Sequence, residues 1–422
     1  MGRLAIAALL TAALPIRAVA MSPAEEKLVA DVRRDLADPV VRPSQVDPAL
    51  PGSFGELAEP HLLVMAASKK RIGADEWATS DLQKAVFAGA KPLSALPSVW
   101  AEEAAKTRTD LDALLLATRA GQGKMPKPLT LYGTFSKAPQ DYDFSSVQHA
   151  AKLAAIASLQ ALQRGETAKA RAICADALAL ARDVSHSCLI NQMVAIATLG
   201  IAAPACAQVI QKTTPPDREE LARQIKIIRG AWTPFSAALH EEALFLQLGI
   251  FPLSPETTEA LPLEARIVMS QGEVSEWQRV RRSLFGGWAK RKLLESLNDV
   301  AATFSQPPRD ADVALSEISE PLAVFLFDSS SDPTNWTGFA RRYRTGQARL
   351  LLLQLSAELW GARTKLGHWP STWTEAAMAP AVDPRSGLEI KLEPADPDGL
   401  RLAPQPDGER TTDDLSVVLR DR

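Results

Sequence analysis

Apolar positions recur three and four residues apart through most of the chain, the spacing of one helix face, and this pattern predicts helices. It is cleanest between residues 145 and 250. A helix over 146–163 runs into Arg164-Gly165-Glu166-Thr167, and a second helix follows with Ala170, Ile173, Ala177, Leu180 and Ala181 on one face. A third, from Leu189 to Ala203, is apolar on nearly every side. Leu189, Met193, Ile196 and Gly200 form one stripe, and Ile190, Val194, Ala197 and Ile201 another. Such a helix lies at the centre of a bundle or in a membrane. Asn191, Gln192 and Pro204 interrupt the run, so the bundle centre is the expectation. Thr214-Pro215-Pro216-Asp217 has the chemistry of a helix start, and Leu221, Ile225 and Ile228 then face inward. A fifth helix begins near Pro234.

The flanks are less regular. Ser22-Pro23-Ala24-Glu25 predicts a capped helix ending near Asp38-Pro39. Residues 38–54 are Pro-rich and extended. Helices are expected near 56–70, 75–89 and 98–120, with a short strand at Leu129–Tyr132 in a loop over 121–143. Further helices fall near 262–303 and 310–326, and DSSSDPTNWTG at 328–338 has linker composition. A long helix over 339–366 buries Leu351, Leu352, Leu355, Leu359 and Ala362; its Gln354 and Glu358 argue against a membrane span. After Gly367 the period changes: Trp369-Pro370, Asp383-Pro384, Gly387, then an alternating strand. Gly165-Glu166 between two small-residue helices resembles one tetratricopeptide-type turn, which supports helical hairpins rather than a repeat array.

Composition narrows the function classes. The chain has 422 residues, a net charge of −3 and a pI near 6.1, so it lacks the basic surplus of a nucleic-acid binder. The first residues, MGRLAIAALLTAALPIRAVA, read as a signal peptide over 1–20. Arg3 supplies the positive region, an apolar run follows, and Ala18-Val19-Ala20 forms the cleavage site. The apolar run is short of a membrane span. The competing reading starts translation at Met21 and keeps the protein cytosolic. Cys174, Cys188 and Cys206 are too few for a disulfide framework; three small buried side chains is the simpler reading, and one pair can join after export.

The order helix, G-x-W-P, D-P-x-x-G, strand and the acidic PDGERTTDDLSVVL stretch resembles the C-terminal half of the type II secretion major pseudopilin. That family shows helix, G-x-Y-P, D-P-x-G-x-P-Y-x-Y and a loop bearing D-G and D-D or D-A-D. The resemblance covers about 80 of 422 residues and lacks the family's N-terminal membrane helix. Gly165-Glu166, Ala177 to Ala181 and Leu189 to Ala197 also resemble the helical region of a family of exported or membrane-anchored bacterial proteins that carry such a C-terminus and have no assigned activity. These resemblances imply a mainly α fold: a multi-helix bundle of helical hairpins with a small C-terminal α/β pseudopilin-like module. The organisation expected is a leader (1–20), an N-terminal helical region (21–140), a central bundle (141–327), a linker (328–338) and the helix plus β module (339–422).

Candidate chemistry is sparse. The pseudopilin loop binds calcium, and Asp407, Asp413 and Asp414 match its acidic positions, making them candidate calcium ligands. Glu409-Arg410-Thr411-Thr412 replaces the loop's glycines, Arg410 repels a cation, and three carboxylates fall short of a full calcium shell. In PFSAALHEEALFLQLG, Phe235, Leu239, Glu242 and Leu246 share a face, which predicts either a buried partner for Glu242, such as an Arg, or a cleft carboxylate with a raised pKa. His61, His149, His186, His240 and His368 show no metal-pair spacing, and His186 and Cys188 fall on different faces. Residues 277–294 mix arginines and lysines with Trp277, Phe285 and Trp288, a solvated basic surface more than a lipid-binding one. No local catalytic motif is present, which leaves only a triad assembled from distant residues. The expectation is an exported cell-envelope protein, periplasmic or secreted, that binds a protein partner as a scaffold or an accessory to secretion or envelope assembly. It has no transmembrane span in the mature chain. The alternatives are an envelope hydrolase using Glu242 and a cytosolic helical adaptor starting at Met21.

Overall fold

The computed structural model describes residues 21–37, 40–126, 129–130, 141–250, 253–263, 265–266, 291–292, 294–304, 306–318, 336–395, 399–404 and 417–420. The leader, the calcium candidates Asp407, Asp413 and Asp414, and nearly all of the basic 277–294 stretch lie outside the described residues.

The chain is mainly helical. Its centre is α7 (Phe144–Gln163), α8 (Thr167–Val184), α9 (Leu189–Lys212), α10 (Pro215–Gly230) and α14 (Trp336–Leu366). Helix α9 packs on α7, α8 and α14, and α10 packs on α8 and α14. The expected faces are buried: Ala170, Ile173, Ala177, Leu180 and Ala181 on α8, and Leu221, Ile225 and Ile228 on α10. Alanine on so many facing positions lets helix axes approach closely while still removing apolar surface from water. The caps follow their chemistry. Thr214 accepts from the Asp217 amide at the start of α10, and Asp143 accepts from the amides of Ser145 and Ser146 at the start of α7.

Helix α9 differs from its sequence reading in two ways. It continues through Pro204 to Lys212. Its buried side runs through Gln192, Ala195, Leu199, Ala202 and Cys206, while Ile190 of the second apolar stripe is exposed. By length and composition α9 could cross a membrane, but 56% of its most apolar window is buried in the bundle. Its polar residues are satisfied internally. Asn191 donates to the Leu129 carbonyl at 3.0 Å, and Gln192 donates to the carbonyls of Ser185 and Thr233 at 3.0 Å each. Trp232 Nε1 donates to Gln192 Oε1 at 3.1 Å. Cys174 of α8 and Cys206 of α9 form a disulfide and Cys188 is a buried free thiol, so burial is as expected and one pair is joined.

An N-terminal layer covers one side. It comprises α1 (Pro23–Ala37), α2 (Phe54–Ile72), α3 (Asp75–Ala78), α4 (Ser80–Phe87), α5 (Ser98–Lys106) and α6 (Arg108–Ala117). The helices expected over 75–89 and 98–120 are each broken. The break at Thr107 coincides with its hydroxyl donating back to the Glu103 carbonyl. The extended segment after α1 leads to β1 (Leu50–Ser53), which pairs in parallel with β2 (Ala120–Gln122). Ser53 and Glu56 then close a capping box on α2. Leu129 lies in a turn, its amide donating to Pro126, not in the strand expected there. Helices α11 (Phe235–Ile250), α12 (Pro255–Ala260) and α13 (Pro308–Ile318) follow, and residues 294–303 are also helical.

Helix α14 starts at Trp336 and buries Leu351, Leu352, Leu355 and Leu359; it stops at Gly367, whose φ of 80° suits glycine. Trp369 then lies edge-on to Trp360, ring centroids 4.7 Å apart. In Asp383-Pro384-Arg385-Ser386-Gly387 the Asp383 carboxylate accepts from the Arg385 amide at 2.9 Å, and the Gly387 amide returns to the Asp383 carbonyl at 2.8 Å. The chain thereby reverses into an antiparallel sheet, β3 (Lys391–Ala395), β4 (Gly399–Ala403) and β5 (Val417–Arg420), in that order. Trp373, Ile390, Leu400, Leu402 and Leu419 join the same apolar core as α14 and the bundle.

Candidate functional site

Buried polar groups gather in three places. The first is the turn between α8 and α9. Ser187 holds a positive φ of 125°, uncommon outside glycine, and its hydroxyl donates to Glu241 Oε2 at 2.6 Å. Glu242 Oε2 accepts from the Leu189 amide at 3.3 Å, the first residue of α9. Glu242 therefore has a buried partner, but the partner is a helix N-terminus and not an arginine. A carboxylate there answers both an orphan N–H and the positive end of the helix dipole. Burial still raises its pKa, opposed by that amide. Glu241 is pushed up to about 8, by burial first and by the nearby Asp35 of α1 after it. Cys188 is raised to about 12 by burial and by Glu242, so its thiol stays protonated. Its Sγ donates to Asn191 Oδ1 at 3.3 Å while His186 Nδ1 meets Thr233 Oγ1, so His186 and Cys188 form no dyad.

The second place is the interior face of α8. Arg42, from the extended segment after α1, donates through Nη2 to Asp183 Oδ2 at 2.7 Å and to the Thr118 carbonyl at 2.9 Å. Arg182 donates to the same Asp183 carboxylate at 2.9 Å. Asp176, two turns back along α8, accepts from Arg119 at 2.7 Å and from Gln45 at 3.1 Å. Burial raises Asp183 and lowers Arg42 to about 10, each against the pull of its partner. It also lowers His186 to about 3, helped by Arg182 and Arg42. This network ties the N-terminal strap, α6 and α8 together.

The third place lies between α2, α3, α5 and α7. His149 Nε2 is 3.0 Å from Ser68 Oγ, and its Nδ1 is 3.8 Å from Glu76 Oε1. Serine, imidazole and carboxylate stand in the order of a hydrolytic triad, drawn from residues 81 positions apart in the chain. The surroundings differ from a catalytic centre. Ser68 and His149 are fully buried, and the Ser68 hydroxyl donates to Glu103 Oε2 at 2.9 Å. Glu103 is clasped by Arg71 at 2.8 Å, and Glu76 by Lys152 at 2.8 Å. Burial works to raise Glu76, but His149 and Lys152 outweigh it and hold the carboxyl at about 2. A nucleophile has to meet its substrate; this hydroxyl is sealed and faces an anion.

Of the residues singled out in the sequence, Glu242 is thus placed at a helix terminus, and the three aspartates of the calcium proposal are outside the described residues. Sequence reasoning missed Arg42, Asp183 and the Ser68–His149–Glu76 group, because no periodicity or motif links such distant positions. Among the described residues no group of three His, Cys, Asp or Glu is placed to hold a metal ion. A groove of about 400 Å³ lined by Leu93, Leu159, Gln163, Gln208, Lys91 and Lys212 lies where α4, α7 and α9 end. No protein-family model matches the chain, and no curated protein or solved structure matches it.

Proposed function

We propose that the chain is an exported protein of the bacterial cell envelope that acts by binding, as a scaffold or an accessory to secretion or envelope assembly. In this reading residues 339–422 are a pseudopilin-like module fused to the bundle through α14. The observation that carries the non-catalytic half is the Glu242–Leu189 contact: the one carboxylate the sequence offers for catalysis is engaged in capping the start of a helix. The Cys174–Cys206 disulfide supports export, since such bonds persist in oxidising compartments.

The test is a pair of substitutions. Glu242→Ala removes the acceptor and should lower stability by about 1–2 kcal/mol. Glu242→Gln keeps an acceptor and should lose less. A catalytic carboxylate would behave otherwise, with stability near wild type in both and a hydrolytic activity lost in both. The compartment is tested by the N-terminal residue of the natively expressed protein. Signal cleavage leaves Met21, whereas a cytosolic start exposes Met21-Ser22 and loses the Met, leaving Ser22 and favouring the adaptor.

The hydrolase alternative gains one observation, the order Ser68–His149–Glu76. A fluorophosphonate probe separates the two. The scaffold reading expects Ser68 to stay unlabelled in the native protein; labelling of Ser68 brings the hydrolase forward.

A further inference from the structure

Helix α1 lies on its own small apolar seat. Leu28, Val29 and Val32 pack against Cys188, Leu244, Leu248 and Leu261, a cluster distinct from the bundle core. Polar ties at its edges include Arg33 donating to the Ala260 carbonyl at 2.7 Å, and Glu25 accepting from the Ser254 amide at 3.1 Å. Beside this seat two acids from different elements fall on the facing stripes of their helices. Glu241 stands three residues before Leu244 and seven before Leu248 on α11, and Asp35 stands three after Val32 on α1. Among the described residues, the groups acting on Glu241 are Asp35 from α1, Glu242 from its own helix, and the Ser187 hydroxyl from the turn before α9. The Cys188 thiol sits under the same cover and responds to both glutamates. Three carboxylates, a hydroxyl and a thiol make a seam that tolerates a neutral Glu241 far better than an ionised one.

We propose that α1 is a pH-sensitive clasp: it lies closed over the Cys188–Leu244–Leu248–Leu261 seat while Glu241 is protonated, and ionisation of Glu241 beside Asp35 releases it. The direction follows from linkage. In the closed state the Glu241 carboxyl titrates at about 8, against an ordinary value of 4.5. A group that holds its proton more tightly when covered favours the covered state at low pH. Each opening then sheds one proton as the pH rises from about 4.5 to about 8, and above that the effect levels off. Release would bare the apolar seat and Cys188 without disturbing the bundle core.

Hydrogen–deuterium exchange of the full chain tests this, with protection factors corrected for the intrinsic pH dependence of exchange. Protection of residues 23–37 should fall with pH, with a limiting slope of about tenfold per unit, and level above about pH 8. Protection of α7 and α8 should stay level. Glu241→Gln should keep α1 protected throughout, and Asp35→Asn should keep the slope but bring the levelling point to lower pH. Flat protection of α1 in the wild type overturns the proposal, and so does an equal slope in Glu241→Gln. If the Gln variant fails to fold, the wild-type profile and Asp35→Asn decide the matter.

Discussion

Arg42 reaches from the extended N-terminal strap into the bundle and meets Asp183 of α8, Nη2 to Oδ2, at 2.7 Å. The Asp183 carboxylate is fully buried and is shared with Arg182. The strap is thus fastened by a buried charge whose removal leaves the Asp183 carboxylate to Arg182 and the Ala120 carbonyl without its guanidinium donor. Arg42→Ala should cost about 3–5 kcal/mol, the range for breaking a buried pair. Arg42→Lys should recover little, because an ammonium cannot serve Asp183 and the Thr118 and Ala120 carbonyls in one plane as the guanidinium does. Urea unfolding of the three proteins measures both; losses under 1 kcal/mol in both variants would show that the strap is not a structural tie.

Gly123 makes that contact geometrically feasible. A Cβ on Gly123 would fall 2.8 Å from His186 Cδ2 and 2.9 Å from Arg42 Nε. Both neighbours are held, His186 by Thr233 and Arg42 by Asp183, so neither has room to retreat. Gly123→Ala should therefore destabilise by about 1–3 kcal/mol through overpacking. Gly165→Ala makes a useful contrast. Nothing lies within 4 Å of its Cβ site, and its cost comes from a φ of 76° alone. Thermal melts should show that the Gly123 loss shrinks when Arg42 is also truncated, while the Gly165 loss does not.

These two contacts mark the limit of what the sequence discloses. The faces of α8 and α10 are legible because burial on a helix repeats every three to four residues, and Thr214-Pro215 announces its cap chemically. The Asp383–Gly387 reversal is legible for the same reason: Asp, Pro and Gly each carry a backbone preference. Arg42 and Asp183 stand 141 positions apart, and ion pairs obey no period. Glu242 is an intermediate case. Its place on an apolar face predicts a buried partner, yet the partner is a backbone amide, which no side-chain inventory reveals. The broken helices at 75–87 and 98–117 fail for a related reason, since Thr107 is an ordinary helix residue until its hydroxyl turns back on Glu103.

Glu76 makes the N-terminal layer sensitive to acid. Its carboxyl sits at about 2, below the ordinary 4.5, because Lys152 and His149 outweigh its burial. A depressed acid contributes its stability in full above about pH 4.5 and loses it as the pH falls through about 2. The amount is roughly 3 kcal/mol at neutral pH. Glu76→Gln should lower stability at pH 7 by a similar amount and flatten the acid limb of the stability curve below pH 4.5. An acid limb identical to wild type would place the acid-sensitive group elsewhere.

The disulfide offers the sharpest reading of compartment and architecture together. Cys174 and Cys206 sit on α8 and α9, adjacent helices at the heart of the bundle, with Cα atoms 5.4 Å apart. Both are buried, as is the remaining thiol, Cys188. Protein exported to an oxidising compartment should therefore resist alkylation while folded. Unfolded without reductant it should take up one label, at Cys188, and after reduction three. Its intact mass should lie about 2 Da below the fully reduced value, one hydrogen lost per cysteine. The same chain expressed in a reducing cytosol should give three labels on unfolding. Because both cysteines belong to a bundle core built largely of alanine and leucine, Cys174→Ala with Cys206→Ala should still fold, losing about 2–4 kcal/mol relative to the oxidised protein and less relative to the reduced one. Three labels on the unfolded, unreduced native protein would mean that these cysteines serve only as small buried side chains, and would remove the disulfide as support for export.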